Sequence, residues 1–108
     1  MKQYLTPEQT AKLIELGFEK PSPSFYQNGA TWIQCEGNYS IGELIAIMPQ
    51  TINVFYDLHI LISHKGWWVL YGLIGDGDMW SIEHEVYRTD LVDALYGMIV
   101  KLKEEGVI

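Results

Sequence analysis

Cysteine is almost missing from this chain. Cys35 stands alone among 108 residues, which excludes an intrachain disulfide framework and fits a reducing compartment. Positive charge is scarce as well. Seven Lys and Arg face fourteen Asp and Glu, for a formal net charge of −7, so neither nucleic acid nor a membrane is expected as a direct partner. Long apolar runs are also lacking. The longest apolar-rich stretch, Trp67 to Ile74, is too short to span a bilayer as a helix, and the opening MKQYLTPEQT has no apolar segment of the secretory type. Against these absences stand 48% hydrophobic and 13% aromatic residues, enough for one core and too many for extended disorder. The expectation is a single cytoplasmic domain over residues 1–108.

Local signals place the elements. Thr6, Pro7 and Gln9 form a capping box with proline at the first helical position, and Leu13, Ile14 and Leu16 follow as an apolar stripe before Gly17 stops the helix and Phe18 folds back on Leu13. Pro21 and Pro23 make Glu19 to Ser24 an extended connector. Asn28-Gly29 between two β-prone runs signals a hairpin. Ser40 and Glu43 make a second capping box, with Tyr39 and Leu44 as its hydrophobic staple; Ile41, Leu44, Ile45 and Met48 share one face before Pro49. The last helix starts near Thr89 or Asp90, carries Leu91, Leu95, Met98 and Leu102 flanked by Val92 and Ile99, and ends at Gly106. Gly97 inside it marks a close helix–sheet approach.

Residues 53–88 read as a three-stranded antiparallel meander with two-residue turns at Lys65-Gly66 and Asp76-Gly77. Such turns would set Leu58 opposite Leu73 and Val69 opposite His84. One face then holds Val54, Tyr56, Leu58, Ile60 and Ile62, with Trp67, Val69, Tyr71 and Leu73, and with Trp80, Ile82, His84 and Val86. That nearly pure apolar face is the core face. The predicted class is α+β, in the order α-β-β-α-β-β-β-α, a mostly antiparallel sheet covered by helices.

Ser40-Ile41-Gly42-Glu43-Leu44-Ile45 through Met48-Pro49, then Tyr56-Asp57-Leu58-His59-Ile60, resembles a group of small proteins from gut Bacteroidetes and their phages and mobile elements. The ending Asp93-Ala94-Leu95-Tyr96-Gly97-Met98 through Lys103-Glu104-Glu105-Gly106 is similar to the same group, as is the opening helix with Leu16-Gly17. These motifs are helix starts, helix stops and core positions. The resemblance therefore implies a shared fold and a phage or mobile-element setting, with no activity, cofactor or catalytic residue.

Chemistry-bearing clusters are few. In Glu83-His84-Glu85 the strand period sends the carboxylates to one face and the imidazole to the other, so His84 is expected as a core-face histidine held by one hydrogen bond. His59 and His64 lie on opposite faces and cannot share a metal; in the predicted register His59 faces Gly72 and then Ser81. Asp76-Gly77-Asp78 begins like a calcium loop but has Trp80, Ser81 and Tyr87 where the loop needs a ligand, a glycine and a glutamate. The glycines from Gly72 to Gly77 open no helix, as a phosphate cradle would need. Cys35 has Glu36 beside it and no base. No catalytic residue, metal ligand set or cofactor is assigned.

The second sheet face mixes apolar and charged groups. It should present Phe55, Asp57, His59, Leu61 and Ser63, then Trp68, Leu70, Gly72 and Ile74, then Met79, Ser81, Glu83, Glu85 and Tyr87. Within it Phe55, His59, Leu61, Trp68, Leu70, Ile74, Glu83 and Glu85 form the candidate interaction surface, with aromatic anchors and an acidic rim. Acid is concentrated at Asp76, Asp78, Glu83, Glu85, Asp90 and Asp93, with Arg88 the one base among them. Three functions follow as expectations. The first is a non-enzymatic protein-interaction or self-associating domain, with a protein partner or a second copy on this face. Next comes an acidic inhibitor or DNA mimic acting on a basic partner. The third is a small enzyme with a site near His59.

Overall fold

The fold was obtained as a computed structural model, which describes residues 3–19, 24–28, 31–35, 38–53, 56–74 and 80–108. Helix α1 (Pro7–Glu15) is followed by strands β1 (Ser24–Asn28) and β2 (Thr31–Cys35), helix α2 (Ile41–Ile47), strands β3 (Thr51–Ile52), β4 (Tyr56–Ser63), β5 (Gly66–Ile74) and β6 (Trp80–Arg88), and helix α3 (Leu91–Glu104). The class is α+β, with an antiparallel sheet ordered β3-β4-β5-β6. β1 and β2 form a two-stranded sheet of their own. No described helix is long and apolar enough to cross a membrane.

Both capping boxes form. The amide of Gln9 donates to Thr6 Oγ1 at 3.2 Å and the amide of Thr6 to Gln9 Oε1 at 3.0 Å. Ser40 and Glu43 repeat the exchange at 3.2 and 3.1 Å. Each box satisfies two amides that a helix start leaves without partners. Both predicted stops take positive φ, +103° at Gly17 and +75° at Gly106, where a side chain would be strained. The amides of Phe18 and Val107 reach back to the carbonyls of Leu13 and Leu102. Before α1, Leu5 donates to the carbonyl of Tyr39 and Ile41 to that of Gln3, tying the chain start to the entrance of α2.

The core lies between the helices and one sheet face. Leu91, Val92, Ala94, Leu95, Met98, Ile99 and Leu102 of α3 pack with Val69, Tyr71 and Val86 of the sheet, Leu44 and Met48 of α2, and Leu13 of α1. Ile45, expected on the buried face of α2, is 38% exposed, and Ile47 packs against the core instead. Tyr71 is fully buried, and its hydroxyl donates to the carbonyl of Pro49 at 2.6 Å. Burial pushes the Tyr71 phenol up to about 12.

The sheet corrects several expectations. A fourth strand, β3, precedes the meander, with Thr51 opposite Asp57 and Ile52 opposite Tyr56. Its two residues carry no strand period, and Asn53 follows at φ 50°, a left-handed position that Asn tolerates. The β4–β5 turn is His64–Lys65, not Lys65–Gly66, because Ser63 pairs with Gly66. Gly66 is needed for space: a Cβ there would stand 2.5 Å from the Arg88 carbonyl oxygen. Moving a two-residue turn by one position slides each partner by two, which preserves the faces. Leu58 therefore meets Tyr71 instead of Leu73, yet both stay on the core side.

The β5–β6 pairing departs further. Val69 pairs with Val86 and Tyr71 with His84, but Gly72 then pairs with Ile82, leaving Glu83 as an extra residue in a bulge. A bulge inverts the alternation beyond it. Ile82 consequently leaves the core face for the opposite one, and Ser81 takes its place opposite Leu73. Trp80, expected on the core side, pairs with Ile74. In the first hairpin Asn28 pairs with Thr31, which places Asn28 in a strand; its turn, the Asp76-Gly77 turn, Val54 and Phe55 lie outside the described residues. Ile62 and Leu73 sit on the core side but are 74% and 43% exposed. A strand of nine residues spans about 30 Å and a helix of fourteen about 21 Å, so α3 cannot cover both ends of the meander.

Candidate functional site

The helices pack on one side of the sheet, and the opposite side carries most of the candidate surface. Three rows of cross-strand partners build it: Leu61–Trp68–Tyr87, His59–Leu70–Glu85, and Asp57–Gly72–Ile82. No residue of these rows belongs to the core cluster. Leu61 and Ile82 are each 36% exposed and Tyr87 46%, whereas Leu70 is fully buried. Trp68 is half-buried, and its Nε1 donates to Glu85 Oε2 at 3.1 Å. Glu85 is the cross-strand partner of Leu70, so the indole reaches diagonally across Leu70 and helps remove it from water. Tyr87 reaches diagonally the other way, its hydroxyl 2.7 Å from Ser63 Oγ. These two bonds hold both aromatic rings along the sheet rather than upright.

Acidic groups surround this patch. Asp57, Glu83 and Glu85 are exposed, and Asp57 accepts from Thr51 Oγ1 at 3.0 Å. Glu83 stands in the bulge between the second and third rows. For Ile74 the structure gives the register position opposite Trp80, and Phe55 is outside the described residues. Ser81, expected here, is on the other face, and Ile82 replaces it.

The histidines do not converge. His59 is half-buried opposite Leu70, not opposite Gly72 as the expected register required. His64 lies in the β4–β5 turn. His84 points to the core side, where its Nδ1 lies 2.9 Å from Glu105 Oε2 at the end of α3. It is thus a core-side histidine with a single carboxylate partner. Among the described residues no group of three His, Cys, Asp or Glu could hold a metal. The phenols raised by burial, Tyr39, Tyr71 and Tyr96, all belong to the helix side.

The acidic stretch 76–93 does not make one surface. Glu85 lies on the open face, Asp90 stands at the N-cap position of α3 without a side-chain capping bond, and Asp93 accepts from Gln9 Nε2 at 3.1 Å. Asp76 and Asp78 are outside the described residues.

Sequence reasoning missed two hollows of about 630 and 570 Å³ beside the edge strand β6. Arg88, Gly97 and Lys101 line both. The available signal was a glycine inside a helix together with the chain's only arginine. A Cβ on Gly97 would stand 3.1 Å from Val86 Cγ1 and 3.8 Å from Arg88 Nη2, so the glycine lets α3 approach β6. Comparison of the chain with family models, curated proteins and solved structures yields no match.

Proposed function

We propose that the chain is a non-enzymatic protein-interaction module whose helix-free sheet face takes a partner with an apolar contact surface and basic side chains around it. One observation carries this reading: Leu61, Trp68, Ile82 and Tyr87 lie outside the core cluster, among the exposed carboxylates of Asp57, Glu83 and Glu85. Aromatic anchors inside a charged rim are the usual anatomy of a binding patch. Charge selects the occupant. A second copy would bring another net −7 and the same three acids to this face, and like charges set against each other across an interface cost several kcal/mol. A basic partner is favoured on the same grounds. Mimicry of a DNA backbone would need carboxylates spaced along one surface, and those of residues 83–93 divide between the open face and α3.

The test is binding of an amphipathic Lys/Leu peptide, followed by Trp fluorescence and calorimetry, against the same peptide with Glu in place of Lys. The Lys form should bind, weaken steeply with salt, and be lost in Trp68→Glu. Leu61→Lys, at a more exposed position, should weaken binding without unfolding the chain. Equal binding of both peptides, or binding indifferent to both substitutions, would overturn the reading. Light scattering of the chain alone should show a monomer, and a stable dimer dispersed by Trp68→Glu would replace the basic partner with a second copy.

A further inference from the structure

The smaller hollow beside β6 reaches the open face through Trp68, Glu85 and Tyr87, whereas the larger one is lined by Arg88 together with residues of α1 and α3 and shares no residue with the rows of the open face. Arg88 is the only arginine in a chain with fourteen Asp and Glu. Its Nη1 donates to the carbonyl of Tyr87 at 2.7 Å. Among the described residues, Glu105 lies against His84, and neither Arg88 nor Lys101 has a carboxylate at ion-pair distance. An arginine ordinarily takes a carboxylate through its planar fork; here, among the described residues, the fork is engaged only by the Tyr87 carbonyl at Nη1.

The surroundings suit a small ligand. Gly97 and Lys101 are four residues apart and share one face of α3, so the guanidinium and the ammonium flank a floor with no side chain. Tyr96 and Val100 line the larger hollow beside them, and the carboxylates of Asp93, Glu104 and Glu105 lie on the same lining. Two cations over a bare helix floor fit one carboxylate. The acids on the lining repel a ligand of several negative charges and attract one that also carries a positive charge.

We infer that this hollow binds a small zwitterion of the amino-acid or short-peptide class, its carboxylate held by Arg88 and Lys101 over Gly97 and its ammonium group drawn toward Glu104. Titration of the ¹⁵N-labelled chain at constant ionic strength tests this, following the amides of Gly97 and Lys101. The probes are glycylglycine, acetate and inorganic phosphate. Glycylglycine should saturate at the lowest concentration and phosphate at the highest. Arg88→Gln should weaken glycylglycine by about tenfold or more, the effect of losing a charge-assisted hydrogen bond. Glu104→Gln should narrow the advantage of glycylglycine over acetate, and Lys65→Gln, in the β4–β5 turn, should change nothing. Phosphate binding as tightly as glycylglycine, a titration indifferent to Arg88→Gln, or no shift at Gly97 with any probe would each overturn the inference.

Discussion

His84 Nδ1 and Glu105 Oε2 meet at 2.9 Å, joining the middle of β6 to the end of α3. The pair is asymmetric, since the imidazole side chain is 11% exposed and the carboxylate 46%. An interaction open to solvent on one side is worth little, about 0.5–1 kcal/mol. Glu105→Ala should therefore lower stability in urea by no more than that amount and leave the sheet intact. A loss above about 2 kcal/mol would mean that His84 is left as an unsatisfied buried group, which costs more than the pair itself contributes.

Thr10 offers the opposite case. It is 5% exposed, and its Oγ1 is buried without a hydrogen-bond partner. Replacing the hydroxyl by a methyl group of similar size removes a desolvated polar atom at almost no change in volume or helix propensity. Thr10→Val should raise stability by about 0.5–1.5 kcal/mol, visible as a higher Tm. A drop in Tm would show that the hydroxyl has a partner in solution.

At Gly97 two effects compete. Glycine to alanine within a helix gains about 1 kcal/mol, but the new Cβ would stand 3.1 Å from Val86 Cγ1. Val86 is 7% exposed and packed in the core, so it has little room to give, and crowding of this kind costs about 1–3 kcal/mol. Gly97→Ala alone should be destabilising by about 1 kcal/mol on balance. In a Val86→Ala background the same substitution should become stabilising. A double-mutant cycle with no coupling between the two sites would refute the close approach as its cause.

Tyr71 sets an alkaline limit. Its folded phenol titrates at about 12 against 10.0 when unperturbed. Below pH 10 both states keep the proton, so the full stabilisation is present. Above it the unfolded chain loses its proton first, the folded chain then binds more protons, and stability falls as pH rises toward 12. Each unit is worth about 1.4 kcal/mol. Tyr39 and Tyr96, also raised mainly by burial, act in the same direction. Tyr71→Phe should cost about 1 kcal/mol at neutral pH through the lost bond to Pro49, yet its stability should fall less steeply than that of the parent chain between pH 10 and 12. Parallel slopes for the two proteins would exclude Tyr71 as a source of the loss.

The open face was partly legible in advance. Leu61, Trp68, Leu70 and Glu85 keep their expected side because a turn displaced by one residue preserves the faces. Ile82 and Ser81 exchange sides because one residue, Glu83, is left out of the β6 ladder. Nothing in Trp80-Ser81-Ile82-Glu83-His84 announces that bulge: read as a strict alternation, the run gives a better apolar face than the one that forms. The hollow beside β6 was less legible still, since Arg88, Gly97 and Lys101 come together only through the packing of α3 on the sheet.

Everything that depends on neighbours a few residues apart follows from the amino-acid order: two capping boxes, two glycine stops, the apolar stripe of α3 and the absence of a disulfide framework. Those interactions close within one turn of chain, where spacing and residue type suffice. The two-residue strand β3, the bulge, the pairing of His84 with Glu105 and the two cations over Gly97 belong to the tertiary structure. Each joins residues whose meeting depends on how whole strands and helices pack, and each is settled by competition among many contacts at once. The net charge of −7 is likewise a property of composition; its placement, with Asp57, Glu83 and Glu85 around the open face and Asp93, Glu104 and Glu105 beside Arg88 and Lys101 at α3, is a property of the fold.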